Sequence, residues 1–215
     1  IDGNGKVFLL VGNGGYATLN DAVAAADTGD TILLSAGTHT LSSKLIIAEG
    51  ITIIGAGEGA TTVVAASGDY GIHVIADNVS ISDLTLNAAA VTHYGLKVNP
   101  DTGLDEDSLV NFSLTDVTVH SAGRSEIDLN GVDNSSLTNV TANGNGSAGV
   151  GIALSDSTGI TLENITTSGN NWGSIGLYSA GRDWEPGTNA ITFNGSYSHS
   201  EPIGIYADEE DGSVV

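Results

Sequence analysis

One short phrase recurs, in degraded form, along most of this chain. It runs Asn78-Val-Ser-Ile-Ser-Asp-Leu-Thr-Leu-Asn87 and returns at residues 110–119, 134–143 and 158–167, with a fainter copy at 190–197. Such a repeat implies a stack of similar units, each unable to bury its apolar side alone. Aligned on Ile53, Ile81, Leu114, Leu137, Leu162 and Phe193, the spacings are 28, 33, 23, 25 and 31 residues. They are too irregular for an ankyrin or tetratricopeptide array and too short for propeller blades. They fit a coil of constant shape with loops of varying length at its corners.

Within each phrase, apolar residues alternate with Ser and Thr, the period-two signature of a strand. The alternation breaks once, at Asp83, Asp116, Asn139, Asn164 and Gly195. These residue types tolerate a left-handed backbone, so the break predicts a sharp corner that keeps both flanking apolar faces inward. Stacked Asx side chains there would hydrogen-bond from coil to coil, and Gly55 is expected to hold the same corner one coil earlier. A second strand family precedes the phrases: residues 71–74, 95–98, 126–129, 151–154, 174–177 and 202–205. In each, two apolar residues flank one outward residue.

Residues 18–27 predict a short helix, with Thr18 as N-cap, Asp21 in the capping-box position and Leu19, Ala22, Val23 and Ala26 as its apolar stripe. It would plug the open end of the solenoid. The predicted fold is all-β: a right-handed parallel β-helix of about seven coils behind a short N-terminal capping helix. The organisation is a single domain over residues 1–215. Residues 1–30 supply a strand and the cap helix, 31–207 the coils, and 208–215 an acidic tail. Over residues 28–207 this pattern resembles the pectate-lyase-like β-helix superfamily, whose members often begin with a similar helix and a Gly-Asp-Thr turn like Gly29-Asp-Thr31. No matching cap is visible at the other end, so a fragment of a larger protein is expected, or self-association head to tail through the uncapped C-terminal end.

With 26 acidic residues against Lys6, Lys44, Lys97, Arg124 and Arg182, the net charge is −21. That excludes nucleic acid and anionic lipid as partners. No apolar run reaches the length of a membrane span. The absence of Cys fits a secreted or cell-surface bacterial protein.

Three constellations can carry chemistry. The outward positions of the second strand family place His73, Lys97 and Asp128 in one row, about 5 Å apart, with Arg124 nearby. A base, an acid and a cation in a row suit proton abstraction beside a carboxylate. Polyuronate lyases and mannuronan carbon-5 epimerases of the resembled superfamily work in this way. Residues 125–128 faintly resemble the epimerase signature, although Leu129-Asn-Gly131 stands here in place of Pro-His-Glu. Trp172, Tyr178, Arg182, Trp184 and Tyr206 form an aromatic cluster suited to stacking on sugar faces. Asp101, Asp105 and Asp107 group hard oxygen ligands that suit Ca²⁺. The favoured function is a β-helix module that binds polysaccharide or serves as an extracellular scaffold. The alternatives are a polysaccharide lyase or uronate epimerase, and a self-stacking fibre protein.

Overall fold

The structure, a computed structural model, describes residues 5–100, 108–178 and 191–207. The described chain is a parallel β-helix of about seven turns. One sheet runs through Phe8–Val11, Thr31–Leu34, Thr52–Ile54, Ser80–Asn87, Ser113–His120, Ser136–Ser147, Ile160–Asn170 and Ile191–His199. A second runs through Leu45–Ile47, Gly68–Val74, Val91–Val98, Ser125–Asn130, Val150–Ser155, Gly173–Tyr178 and Ile205–Ala207. A short third sheet pairs Leu109–Val110 with Val132–Asp133. Every one of these pairings is parallel.

The inward alignment holds from coil to coil: Ile53 opposite Ile81, Ile81 opposite Leu114, then Leu137, Leu162 and Phe193. The first five of these residues and their partners across the coil form one continuous buried core, and Phe193, half-buried, packs against it. The corner also forms as its residue types require. Asp83, Asp116, Asn139, Asn164 and Gly195 all have φ between 53° and 67°. Asn139 Nδ2 donates to Asp116 Oδ1 at 2.8 Å, and Asn164 Nδ2 to Asn139 Oδ1 at 2.9 Å. A second left-handed column, Asn78, Asn111, Asn134 and Gly159, opens each phrase and carries its own link, Asn111 Nδ2 to Asn78 Oδ1 at 2.9 Å. Gly55 sits at the corner for a different reason than expected. Its φ is not left-handed; a Cβ there would lie 2.0 Å from Asp83 O, so close backbone approach demands glycine.

The helix spans Leu19–Ala25. Thr18 has extended φ and ψ and accepts from Asp21 N, while its hydroxyl donates to Asp21 Oδ2 at 2.7 Å. Leu19, Ala22 and Ala26 are buried against the first coil. Among the described residues no helix is long and apolar enough to cross a membrane.

Candidate functional site

The second sheet's outward row is set by its register. Ile46 lies opposite His73, His73 opposite Lys97, Lys97 opposite Asp128, Asp128 opposite Ala153, and Ala153 opposite Gly176. The expected trio is therefore contiguous. The last member departs from the sequence reading. Residues 202–205 slip by two, so Ile205 meets Ile175 and Tyr206, not Gly204, completes the row opposite Gly176. The backbone fixes this: Ile175 N donates to Gly204 O at 3.0 Å and Ser174 N to Ile203 O at 2.9 Å.

At the centre, Lys97 Nζ is in direct contact with Asp128 Oδ2, and the two residues are only 7% and 4% exposed. Burial raises the Asp128 carboxyl above its ordinary range, opposed by the charges of Lys97 and then Arg124. His73 points its Nε2 at Asn99 Oδ1, 2.7 Å away, and packs edge-on to the Tyr70 ring. Arg124 is exposed and forms no ion pair among the described residues. Its guanidinium lies over the Tyr94 ring at 5.7 Å.

The aromatic candidates join this same strip. Trp172, 40% exposed, meets Tyr206 edge-on with centroids 4.6 Å apart and stacks near Tyr178 at 6.2 Å. Tyr178 in turn is within electrostatic range of Arg124 and Asp128, and burial pushes its hydroxyl up to about 12. Its ring lies flat over Gly176, where an added Cβ would approach within 2.6 Å. Two sets that the sequence kept apart are thus one surface.

The structure adds two members. Tyr70 and Tyr94 stack with centroids 5.5 Å apart at the other end of the strip. Lys44 lies over Tyr70 at 5.1 Å and Lys97 over Tyr94 at 5.2 Å. Three of the chain's five cations therefore face tyrosine rings on this one face. The signal was in the sequence: a Tyr-Gly pair precedes the inward residues Ile72 and Leu96 at the same offset. Asp101, Asp105, Asp107, Arg182 and Trp184 lie outside the described residues. Among those described, no group of three or more metal-ligating side chains comes together.

A family model described as "Rhamnogalacturonase A/epimerase, pectate lyase-like" matches residues 14–215. No curated protein matches the chain. Among solved structures, the catalytic domain of an alpha-1,3-glucanase in complex with nigerose superposes with a TM-score of 0.67 at 15% identity, covering 93% of this chain and 36% of that one. The pectate lyase Pel9A superposes with a TM-score of 0.61 at 14% identity, over 93% of this chain and 62% of the enzyme. The A-module of the Azotobacter vinelandii mannuronan C-5 epimerase AlgE6 gives 0.58 at 17% identity, over 86% and 61%. At these identities the likeness is one of fold, and the chain spans between about a third and two thirds of each of these structures.

Proposed function

Since the chain belongs to the rhamnogalacturonase A/epimerase, pectate lyase-like family, we propose that it is an extracellular polysaccharide-binding β-helix whose glycan lies along the outward face of the second sheet. The observation that carries this reading is the strip itself. It crosses seven strands, from Lys44 and Ile46 to Tyr206, a distance of roughly 29 Å at the spacing of parallel strands. An aromatic platform stands at each end, Tyr70 with Tyr94 and Trp172 with Tyr178 and Tyr206. Rings offer rigid apolar area with polar edges, which suits the two faces of a sugar. The strongly acidic remainder of the surface makes the cations of this strip a local exception. The experiment is calorimetric titration with a panel of soluble polysaccharides. Trp172→Ala and Tyr94→Ala should each weaken binding about fivefold or more, the effect of losing about 1 kcal/mol when a ring that carries binding energy is truncated. Binding unchanged in both variants would sink the assignment.

One feature favours a second, catalytic reading. Asp128 is a buried carboxyl raised in pKa, beside a cation in the outward row, and Arg124 forms no ion pair among the described residues. On that reading Arg124 pairs with the carboxylate of a uronate and Lys97 supports the charge that develops as its neighbouring carbon loses a proton. Asp128 or His73 takes that proton. Absorbance of unsaturated uronates tests the lyase branch, and proton NMR of the treated polymer tests the epimerase branch. Inactivity on alginate and pectate, with and without Ca²⁺, would leave binding as the role of the strip.

A further inference from the structure

The strand Ser125–Asn130 carries a second acid, on the side away from the strip. Glu126 shares its column with Gly71, Gly95, Gly151 and Ser174. A Cβ on Gly95 would lie 2.6 Å from Val119 Cγ1 and 3.1 Å from Ala88 Cβ, so the column points into the solenoid. A Cβ on Gly151 would meet Asn170 Nδ2 at 2.9 Å and Thr167 Cγ2 at 3.1 Å. Where its neighbours carry only hydrogen, position 126 carries a carboxyl on two methylenes. Glu126 is wholly buried, and neither of its carboxyl oxygens has a hydrogen-bond partner among the described residues.

A second carboxyl in the same interior region is treated differently. Glu201 receives Asn170 Nδ2 at 2.6 Å, Thr167 Oγ1 at 2.9 Å and Ser200 N at 3.0 Å. Burial pushes its pKa up, but the side chains of Asn170 and Thr167 and the backbone N–H groups of Glu201 and Asn170 outweigh burial and hold it below the usual range. Two acids whose surroundings drive them apart divide the roles of anion and neutral acid. Among the described residues the remaining neighbours do not supply a counter-charge. Thr167, Asn170, Ser174 and Ser147 are neutral, and Ser147 Oγ gives its hydrogen to Asn170 Oδ1 at 3.1 Å. His199 stands behind Glu201, with Nδ1 4.0 Å from Oε2. Asp128 faces outward on Glu126's own strand and Arg124 is exposed just before it, and His120 faces outward at the end of the strand before that.

We propose that Glu126 is an interior carboxylic acid that the fold keeps protonated, and that loss of this proton is an alkaline switch loosening the coils behind Asp128. An ionised carboxylate there would be desolvated, unpaired and next to a like charge, which the interior tolerates poorly. Desolvation is also what dominates its titration, lifting it to about 8. The N–H groups of Glu126 and Ala122 and the Ser147 hydroxyl lie close enough to favour the anion, without a hydrogen bond of good geometry, while the charge of Glu201 adds to the rise.

The folded chain thus holds a proton that the unfolded chain, with an ordinary Glu value of about 4.3, has already released. Stability falls as pH rises between the two values and levels off above the upper one. The test is urea unfolding of the wild type and Glu126→Gln at pH 5, 6, 7, 8 and 9. Between pH 5 and 7 the wild-type unfolding constant should rise nearly tenfold per pH unit relative to the variant, and less steeply from pH 7 to 8. Parallel profiles overturn the proposal. Carboxyl ¹³C NMR of the wild type gives a reading independent of the substitution. One Glu resonance should titrate near 8, and titration of every Glu below 6 overturns it. Loss of the pH slope on adding Ca²⁺ or Na⁺ at constant ionic strength would identify a bound cation in place of the proton, and would also overturn it. None of these outcomes depends on whether the outer strip binds glycan.

Discussion

Replacing Lys97 with Met tests whether the centre of the strip is as dry as its geometry indicates. The substitution keeps a side chain of similar reach and removes the ammonium. Asp128 is then a carboxylate with a side chain only 6% exposed and no direct counter-charge. Breaking one partner out of a buried pair costs about 3–5 kcal/mol, because the other charge stays desolvated. For a domain of this size that is a drop in Tm of about 6–20 °C. The cost must depend on pH. Burial already raises the Asp128 carboxyl, and Lys97 is the first of the charges opposing it. Without Lys97 the carboxyl keeps its proton to a higher pH. A folded pKa raised above the unfolded value of about 3.9 means stability is lost as pH rises through that window. The gap between wild type and Lys97→Met should therefore be small at pH 4 and complete at pH 8. Urea unfolding at both values measures it. The double variant Lys97→Met/Asp128→Asn should recover most of the loss, since no charge is left to desolvate. A cost below about 1 kcal/mol at pH 8 is the result for an exposed pair, and it would refute the dry centre.

Other consequences are more local. Gly176→Ala places a methyl 2.6 Å from the Tyr178 ring and must swing that ring off the sheet. The near-UV circular dichroism of the Trp172–Tyr178–Tyr206 cluster should change while urea stability shifts by less than about 1 kcal/mol, because the ring is the flexible end of a side chain. An unchanged spectrum would mean that the ring does not rest on Gly176. Asn139→Ala forces alanine to φ 54° and removes two coil-to-coil links. Urea unfolding should show a loss of about 1–2 kcal/mol, and Asn139→Gly, which removes the backbone strain, should recover the larger part of it.

The repeat made the fold legible because a solenoid writes its register into the chain. Each coil needs an inward residue at the same angular position, and Ile81, Leu114 and Leu137 announce it. The corner was legible for the same reason, since φ near 55° selects Asp and Asn at residues 83, 116, 139 and 164. The row His73–Lys97–Asp128 followed from register alone. The slip of the final strand did not. Residues 202–205 imitate the earlier tetrads, and a shift of two residues preserves the alternation of faces, so hydrophobic pattern cannot distinguish the two registers. The fusion of the charged and aromatic sets was hidden too. It depends on Tyr178 folding over Gly176, and a side chain's direction is not written in its spacing. Glu126 was the least legible residue. It occupies the first position of a tetrad, where Gly71, Gly95 and Gly151 stand in other coils. Its burial becomes apparent only when the Cβ directions of those glycines are known.

The strand Ser125–Asn130 therefore carries two raised carboxyls back to back, Glu126 inward and Asp128 outward. Both make stability fall with rising pH, so a slope measured on the wild type alone cannot be assigned to either. The chemistry of their neighbours separates them. Asp128 has a cation in contact, and its contribution must grow when Lys97 is removed. Glu126 has no cation facing it among the described residues, and its contribution must be indifferent to Lys97→Met. In the comparison of wild type with Glu126→Gln, Asp128 is present in both chains and cancels. If Glu126→Gln abolishes its share of the slope equally in wild-type and Lys97→Met backgrounds, the two acids are independent, as additivity requires of groups with no shared partner. If the two effects are strongly non-additive, the carboxyls titrate as one system, and the inner face of this strand is coupled to the surface proposed to bind glycan.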